Sequence, residues 1–222
     1  MSSLAGFRLT TARAAVIALA IVAAAVYSGW VLEWFLPGGV DPLRSYASEL
    51  AARTEPHGDL FARLDTVSGT LLAVLGVALA VLARRAGGVR DFAAPAGLVL
   101  WGGATVADSI FRMPTVTTVG PGASVALTEA EKAAVTAHSI CSSTAAVGMA
   151  LVGAGLWWAG RRVLAAVFLA LLAAVAVTSG LHEIGGPNLW LGLWQRLSLA
   201  VAAVAVVVVT VVVAAGRATA RR

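Results

Sequence analysis

Residues 193–215 read LWQRLSLAVAAVAVVVVTVVVAA, and this stretch decides the fold. In water, so valine-rich a run would indicate a buried strand. Its 23 almost entirely apolar residues instead match the roughly 20 helical residues that cross a hydrocarbon core of about 30 Å. Because unpaired backbone groups are too costly in lipid, we interpret the run as a transmembrane helix.

Five further stretches share this apolar character and length. They are residues 14–36, 60–83, 92–113, 131–159 and 163–182. The first continues into Trp30 and Trp34 rather than a small-residue cleavage site, so we expect a retained helix and not a signal peptide. The sequence therefore predicts an all-α, six-helix transmembrane bundle that forms a single integral membrane domain over residues 1–222.

The composition agrees with this class of protein. Apolar residues make up 59% of the chain and charged residues only 12%, against about 25% charged in soluble domains. The net charge of +5 resides in loops and tails, which excludes a nucleic-acid module. Cys141 is the single cysteine, so no internal disulfide is possible. We expect a multi-pass protein of the cell (plasma) membrane, and the preference for arginine over lysine suggests a bacterial source.

Basic residues predict the orientation. Ten of the sixteen lie on one side of the expected bundle, accompanied only by the acid Asp91. These ten are Arg8, Arg13, Arg84, Arg85, Arg90, Arg161, Arg162, Arg217, Arg221 and Arg222. Since cytoplasmic loops carry the excess of Lys and Arg, both termini are expected in the cytoplasm.

The first outer loop contains the pattern of a short helix. Asp41-Pro42 is an N-cap followed by a proline at the first helical position. Leu43, Tyr46 and Leu50 then share one apolar face. We expect a short amphipathic helix over residues 41–53, lying on the membrane surface with Ser45 and Glu49 facing the bundle.

Polar residues within the spans gather in one layer, toward the outer leaflet, and the inner halves contain almost none. Such groups usually face the bundle interior or a water-filled cavity, so we expect one outward-facing polar pocket. Its candidate residues are Ser45, Glu49, Asp65, Ser68, Asp108, Arg112, His138, Ser142, His182 and Glu183. Asp108 is expected to pair with Arg112, four residues on, or with a donor of a neighbouring span.

Asp108, His138 and His182 could together bind one zinc ion, because carboxylate and imidazole are common zinc ligands. Each histidine could equally form separate, local hydrogen bonds. Short motifs for hydrolases, metalloproteases and nucleotide binding are absent from the sequence.

The segment Ser45-Tyr46-Ala47-Ser48-Glu49-Leu50, between the first two spans, resembles the "S-x-x-S-E-L"-like segment of the membrane family called domain of unknown function 998. Asp108 and His138 lie where that family also has an acid and a histidine. The resemblance covers most of the chain and implies no activity. A weaker similarity is to membrane hydrolases of the alkaline ceramidase and haemolysin III type, which hold a metal with Ser, Asp and three His. Here the paired H-x-x-x-H of that group is absent, and six spans replace seven.

Three functions remain open from the sequence. The first is binding of a lipid headgroup, a small polar ligand or a partner in the outer pocket, with no enzymatic activity. The second is a metal-dependent hydrolase that acts on a lipid or amide, with a metal-bound water as the nucleophile. The third is a small transporter, for which the apolar inner halves offer no evident pathway.

The orientation can be tested with single cysteines introduced into a Cys141→Ala background. We expect cysteines at positions 3 and 220 to resist a membrane-impermeant maleimide in intact cells, and a cysteine at position 54 to react. Labelling of either terminus from outside would contradict the expected orientation.

Overall fold

The computed structural model describes residues 2–84, 92–118 and 125–215, with side chains from residue 11 onward. These residues form six α-helices and two 3₁₀ helices, without strands. The α-helices are α1 (Ser2–Tyr27), α2 (Gly58–Ala83), α3 (Ala93–Ile110), α4 (Glu129–Trp158), α5 (Arg162–Glu183) and α6 (Leu191–Ala215). The 3₁₀ helices are Ser28–Trp34, which continues α1, and Ala47–Ala51 in the first loop.

Five of the described helical segments are long and apolar enough to cross a membrane: all except α3. With 18 residues, α3 is the shortest of the six α-helices. It ends at Ile110, three residues earlier than expected, because Phe111 leaves the helical conformation with φ −89° and ψ 56°. The all-helical, multi-pass membrane class is thus confirmed.

Small residues bring α3 into close contact with α2 on one side and α4 on the other. A Cβ atom added to Gly148 would lie only 2.7 Å from the Gly97 carbonyl oxygen, so α3 and α4 touch along their backbones. Gly102 meets the backbone of Gly69 and Ala73 in the same way on α2. These glycines allow α3 to pack closely between its two neighbours.

The apolar core lies along the inside of the bundle, where α6 contacts α1, α2, α4 and α5. Its fully buried side chains include Leu72, Leu98, Trp101, Phe168 and Val206. Phe111, Asp59 and the first loop lie together at one end, which we call the first-loop end. The polar side chains described below all belong to this end.

The first loop is more irregular than the expected helix over residues 41–53. Residues 41–45 form a turn in which the Asp41 side chain accepts a hydrogen bond from Leu43 N at 2.9 Å. Tyr46 is extended, with ψ 140°, so only Ala47–Ala51 is helical. Leu50 is buried as expected, but Leu43 is 45% exposed, because the Asp41 turn directs it away from the bundle. Local side-chain bonds of this kind compete with helix formation.

Glu49 fastens this loop to the segment that follows α3. Its carboxylate is fully buried. Oε1 accepts hydrogen bonds from Thr117 N at 2.6 Å, Thr117 Oγ1 at 2.9 Å and Thr118 N at 3.0 Å. Oε2 accepts from Tyr46 N at 3.2 Å and from the Thr118 hydroxyl. A buried carboxylate is tolerated only when it is bonded this completely.

A buried ion pair fastens the same loop to α6. Arg196 donates to both carboxylate oxygens of Glu33 at 2.6 Å, and the two side chains are 5% and 4% exposed. It also donates to the Ser45 carbonyl oxygen at 2.9 Å. The paired, two-bond geometry of arginine and carboxylate fixes both direction and distance. The first loop is therefore a rigid part of the fold.

Tyr46 completes the attachment at the end of α5. Its hydroxyl donates to Glu183 at 3.4 Å, and its ring lies edge-on to His182 with ring centres 6.3 Å apart. Burial raises the pKa of Tyr46 to about 12, so the phenol stays protonated and keeps its role as donor.

Replacing Glu49 by Gln tests the importance of this carboxylate. The Gln side chain would place an NH₂ group, which is a donor, against the Tyr46 N–H, which is also a donor. The remaining hydrogen bonds would no longer be strengthened by a negative charge. We expect the free energy of unfolding in detergent to fall by about 1.5–3 kcal/mol. Glu55→Gln is the matched control, because Glu55 accepts only one exposed bond, from Gly39 N. Equal thermal stability of the two variants would contradict this role of Glu49.

Candidate functional site

His138 lies against the end of α3. Its Nδ1 atom is 3.1 Å from the Phe111 carbonyl oxygen, and the side chain is buried. The last carbonyl groups of a helix have no partner within the helix. Because α3 stops at Ile110, the Phe111 carbonyl is free to accept this bond from α4.

Asp108 lies beside the same histidine. Its Oδ1 atom is 2.9 Å from His138 Nδ1, with the two side chains 15% and 8% exposed. Its Oδ2 atom accepts a hydrogen bond from Ser142 Oγ at 3.0 Å. His138 and Ser142 are four residues apart and so share one face of α4. The neighbouring span thus supplies the partners of Asp108, which was one of the two expected outcomes.

Two buried atoms of this cluster, Asp108 Oδ1 and His138 Nε2, have no aligned hydrogen bond among the described residues. The Nδ1–H group of His138 is aligned with Phe111 O, so Asp108 Oδ1 lies near it without an aligned hydrogen bond. His138 Nε2 is buried and has no hydrogen-bond partner among the described residues. Nδ1 faces two acceptors and therefore carries a hydrogen, whereas Nε2 is an acceptor in the neutral ring and a donor in the protonated ring. A buried polar atom in this state is costly unless something binds it.

Asp65 adds a second carboxylate from α2. The next residue, Thr66, bonds with Ser109 at 2.8 Å, so Asp65 lies on α2 beside the part of α3 that carries Asp108, and its charge interacts with those of Asp108 and His138. In the part of the chain that the structure describes, no side chain or backbone group donates to its carboxylate. We define the polar site as Asp65, Asp108, His138 and Ser142, contributed by α2, α3 and α4.

The serine hydroxyls in and near the polar site already form hydrogen bonds with groups other than His138. Ser142 donates to Asp108, and Ser68 donates to the Asp65 carbonyl oxygen at 3.2 Å. Ser109 bonds with Thr66 Oγ1 at 2.8 Å. Among the described residues, no hydroxyl is hydrogen-bonded to His138 Nε2. The cluster therefore has the histidine and carboxylate of a catalytic triad, but the described residues do not include the paired nucleophile.

Arg112 does not pair with Asp108. It leaves the end of α3 and donates to Asp59 at 2.6 Å and to the carbonyl oxygen of Ala51 at 2.7 Å. Two residues that are four positions apart, such as Asp108 and Arg112, meet on one face only if the helix continues through both of them. That condition fails because α3 ends before Arg112.

His182 and Glu183 lie beside Tyr46 at the end of α5. Ser45 and Glu49 are buried within the first loop. These four residues were expected to line the pocket, but the structure brings none of them into hydrogen bonding with Asp65, Asp108 or His138. No three His, Cys, Asp or Glu side chains in the described ranges are grouped as a metal site would require. Zinc binding by Asp108, His138 and His182 thus stays a prediction.

Other contacts around the site could not be predicted from the sequence pattern. The Phe111 carbonyl is a backbone group, and its role depends on where α3 ends. Tyr27 reaches across from α1 and contacts Trp101 of α3 edge-on, with ring centres 4.8 Å apart. An aromatic residue near a span end is usually taken as an interface marker. Thr117 and Thr118 lie in a loop without periodicity, so nothing pointed to their bonds with Glu49.

Fold and site together define a multi-pass α-helical membrane protein with a buried carboxylate–histidine cluster near one end of its bundle. The chain belongs to the family described as "Protein of unknown function (DUF998)", whose sequence profile matches residues 6–212. The first-loop resemblance is therefore confirmed. No curated protein and no solved structure matches the chain. The similarity to ceramidase-type hydrolases gains no support from these comparisons.

Replacing Asp108 by Ala tests the buried pair. The change removes the acceptor of the Ser142 hydroxyl and the carboxylate beside His138, so we expect a loss of about 1–3 kcal/mol in the free energy of unfolding. Asp59→Ala is the control, because the Asp59 carboxylate is 82% exposed and its loss should change stability little. Chemical denaturation in detergent measures both. A larger effect for Asp59 than for Asp108 would contradict the pairing.

Proposed function

We propose that the protein binds a small polar group bearing an amine or hydroxyl donor at the polar site. The observation that carries the proposal is His138 Nε2, a buried ring nitrogen that has no hydrogen-bond partner among the described residues and accepts a hydrogen bond in the neutral ring. Asp108 Oδ1 and the Asp65 carboxylate are further acceptors that lack an aligned donor among the described residues. A ligand that presents two or three N–H or O–H groups would satisfy all of them at once.

The charges favour an amine over an anion. Two carboxylates face one histidine in the polar site. The nearby arginines are already committed, because Arg112 bonds with Asp59 and Arg196 bonds with Glu33. The site therefore has a negative or zero net charge and offers no attraction to a phosphate or carboxylate. An ammonium group, by contrast, gains from both carboxylates in a medium of low dielectric constant.

We further propose that all six helices span the membrane, with both termini cytoplasmic, so that the first-loop end faces the outer leaflet. His138 is nine residues along α4 from Glu129, which places it roughly 14 Å from the start of that helix. Asp65 is seven residues along α2 from Gly58, or roughly 10 Å. A headgroup amine of an outer-leaflet lipid, or a free amine from outside, would meet the site at this depth.

A metal-dependent hydrolase acting on a lipid or amide is the second candidate, and the Asp108–His138 pair favours it. A carboxylate that holds the far nitrogen of an imidazole is a recurring partner of histidines that bind zinc. Nε2 would be the ligand atom. Zinc would then need further ligands, for which His182 would have to leave Tyr46. A small transporter has no specific observation in its favour.

Ligand binding separates these candidates. The purified protein in lipid nanodiscs would be titrated with ethanolamine, using calorimetry, and its zinc content measured in parallel. We expect ethanolamine to bind, and His138→Ala and Asp65→Asn to weaken binding at least tenfold, which corresponds to about 1.4 kcal/mol. His57→Ala is the matched control, since His57 lies in the first loop outside the polar site.

Equal affinity of the parent protein and the two site variants would contradict the proposal. Stoichiometric zinc that disappears in His138→Ala would instead establish the metal site. Thermal stability of each variant would be measured alongside, so that a folding defect is recognised as such.

A further inference from the structure

A second feature of the first-loop end is an open apolar groove beside α5. It has a volume of about 590 Å³, within the range of about 300–1,000 Å³ that is typical of ligand pockets. Its lining residues are Ala173, Ala174, Val177, Thr178, Leu189, Trp190 and Trp194. None of them belongs to the polar site, so the groove is a separate feature of the molecule.

The walls of the groove are held in place. Trp194 Nε1 donates to the Leu189 carbonyl oxygen at 3.1 Å, which fixes its indole ring. The Asn188 side chain accepts from Leu191 N at 3.2 Å and thereby orders the turn into α6. Trp190 has a φ of 60°, a backbone conformation that a bulky residue rarely adopts. The fold keeps this strained tryptophan 57% exposed beside the groove rather than burying it.

An exposed arginine is anchored by its backbone to the turn beside the groove. The Asn188 side-chain amide donates to the Arg44 carbonyl oxygen at 2.8 Å, which brings Arg44 beside the 188–190 turn. Arg44 is exposed and forms no ion pair with any residue that the structure describes. The apolar groove and the exposed arginine at the adjacent turn offer partners for the two parts of a phospholipid, the acyl chain and the phosphate.

We propose that the groove binds one acyl chain of a bilayer phospholipid, with the lipid phosphate at Arg44. Both helices that form it, α5 and α6, are long and apolar enough to span the membrane, so the groove opens toward lipid. Its α5 wall covers only residues 173–178, roughly 8 Å along the helix axis. That length suits a segment of a flexible chain better than a transmembrane helix of a second copy, which would need a much longer contact.

Filling the groove tests the proposal. Ala173→Phe places a ring in the groove, and Ala176→Phe is the matched control, because Ala176 is equally exposed on α5 but does not line the groove. The full-length protein would be purified in mild detergent and its retained phospholipid counted by native mass spectrometry. We expect one tightly held phospholipid in the parent protein and in Ala176→Phe, and at least a tenfold lower occupancy in Ala173→Phe.

The phosphate contact is tested separately with Arg44→Gln, with Arg53→Gln as the control from the same exposed loop. We expect Arg44→Gln to lower retention several-fold and Arg53→Gln to leave it unchanged. Equal retention in Ala173→Phe and Ala176→Phe would overturn the proposal. So would a dimer in the parent protein that Ala173→Phe dissociates, because the occupant would then be a second copy. The thermal stability of each variant serves as the folding check, so that a loss of retained lipid is not confused with unfolding.

Discussion

The buried carboxylate of Glu49 is the interaction on which the first-loop end depends. A carboxylate with no exposed surface must be satisfied completely, and five donors from Tyr46, Thr117 and Thr118 achieve this. These bonds join the first loop to the segment that leaves α3. The Arg196–Glu33 pair joins the same loop to α6. An irregular loop, whose backbone would otherwise need water, is thus tied to the helices by charged groups.

The position of the polar site follows from this arrangement. Because the segment after α3 is held by the first loop, α3 can end at Ile110 and expose the Phe111 carbonyl to His138. Close backbone contact through Gly102 and Gly148 fixes the axis of α3. Asp108 is consequently placed beside the imidazole of His138. Its Nδ1 atom contacts Asp108 and Phe111, and the other ring nitrogen, Nε2, takes part in neither contact. The fold itself positions these side chains, which would lower the entropy cost of the binding proposed above.

Much of this architecture could be predicted from the sequence, because hydropathy and length decide membrane helices directly. The runs around α2, α4, α5 and α6 gave bounds within a few residues. Asp108, His138 and Ser142 were expected in one layer from helical spacing, and their side chains contact one another in the structure. The Arg112 partner could not be predicted, because it depends on the residue at which α3 ends. The same is true of Glu49: its depth of burial is a property of a folded loop, which periodicity does not describe.

The most direct test of the central claim is nitrogen NMR of His138 in protein labelled with ¹⁵N-histidine, assigned by comparison with His138→Ala. A neutral His138 with hydrogen on Nδ1 and a free acceptor at Nε2 predicts one distinct ring tautomer. Addition of ethanolamine should then shift the Nε2 resonance as it accepts a hydrogen bond. Unchanged His138 resonances at saturating ethanolamine, or a tautomer with hydrogen on Nε2 alone, would contradict the account.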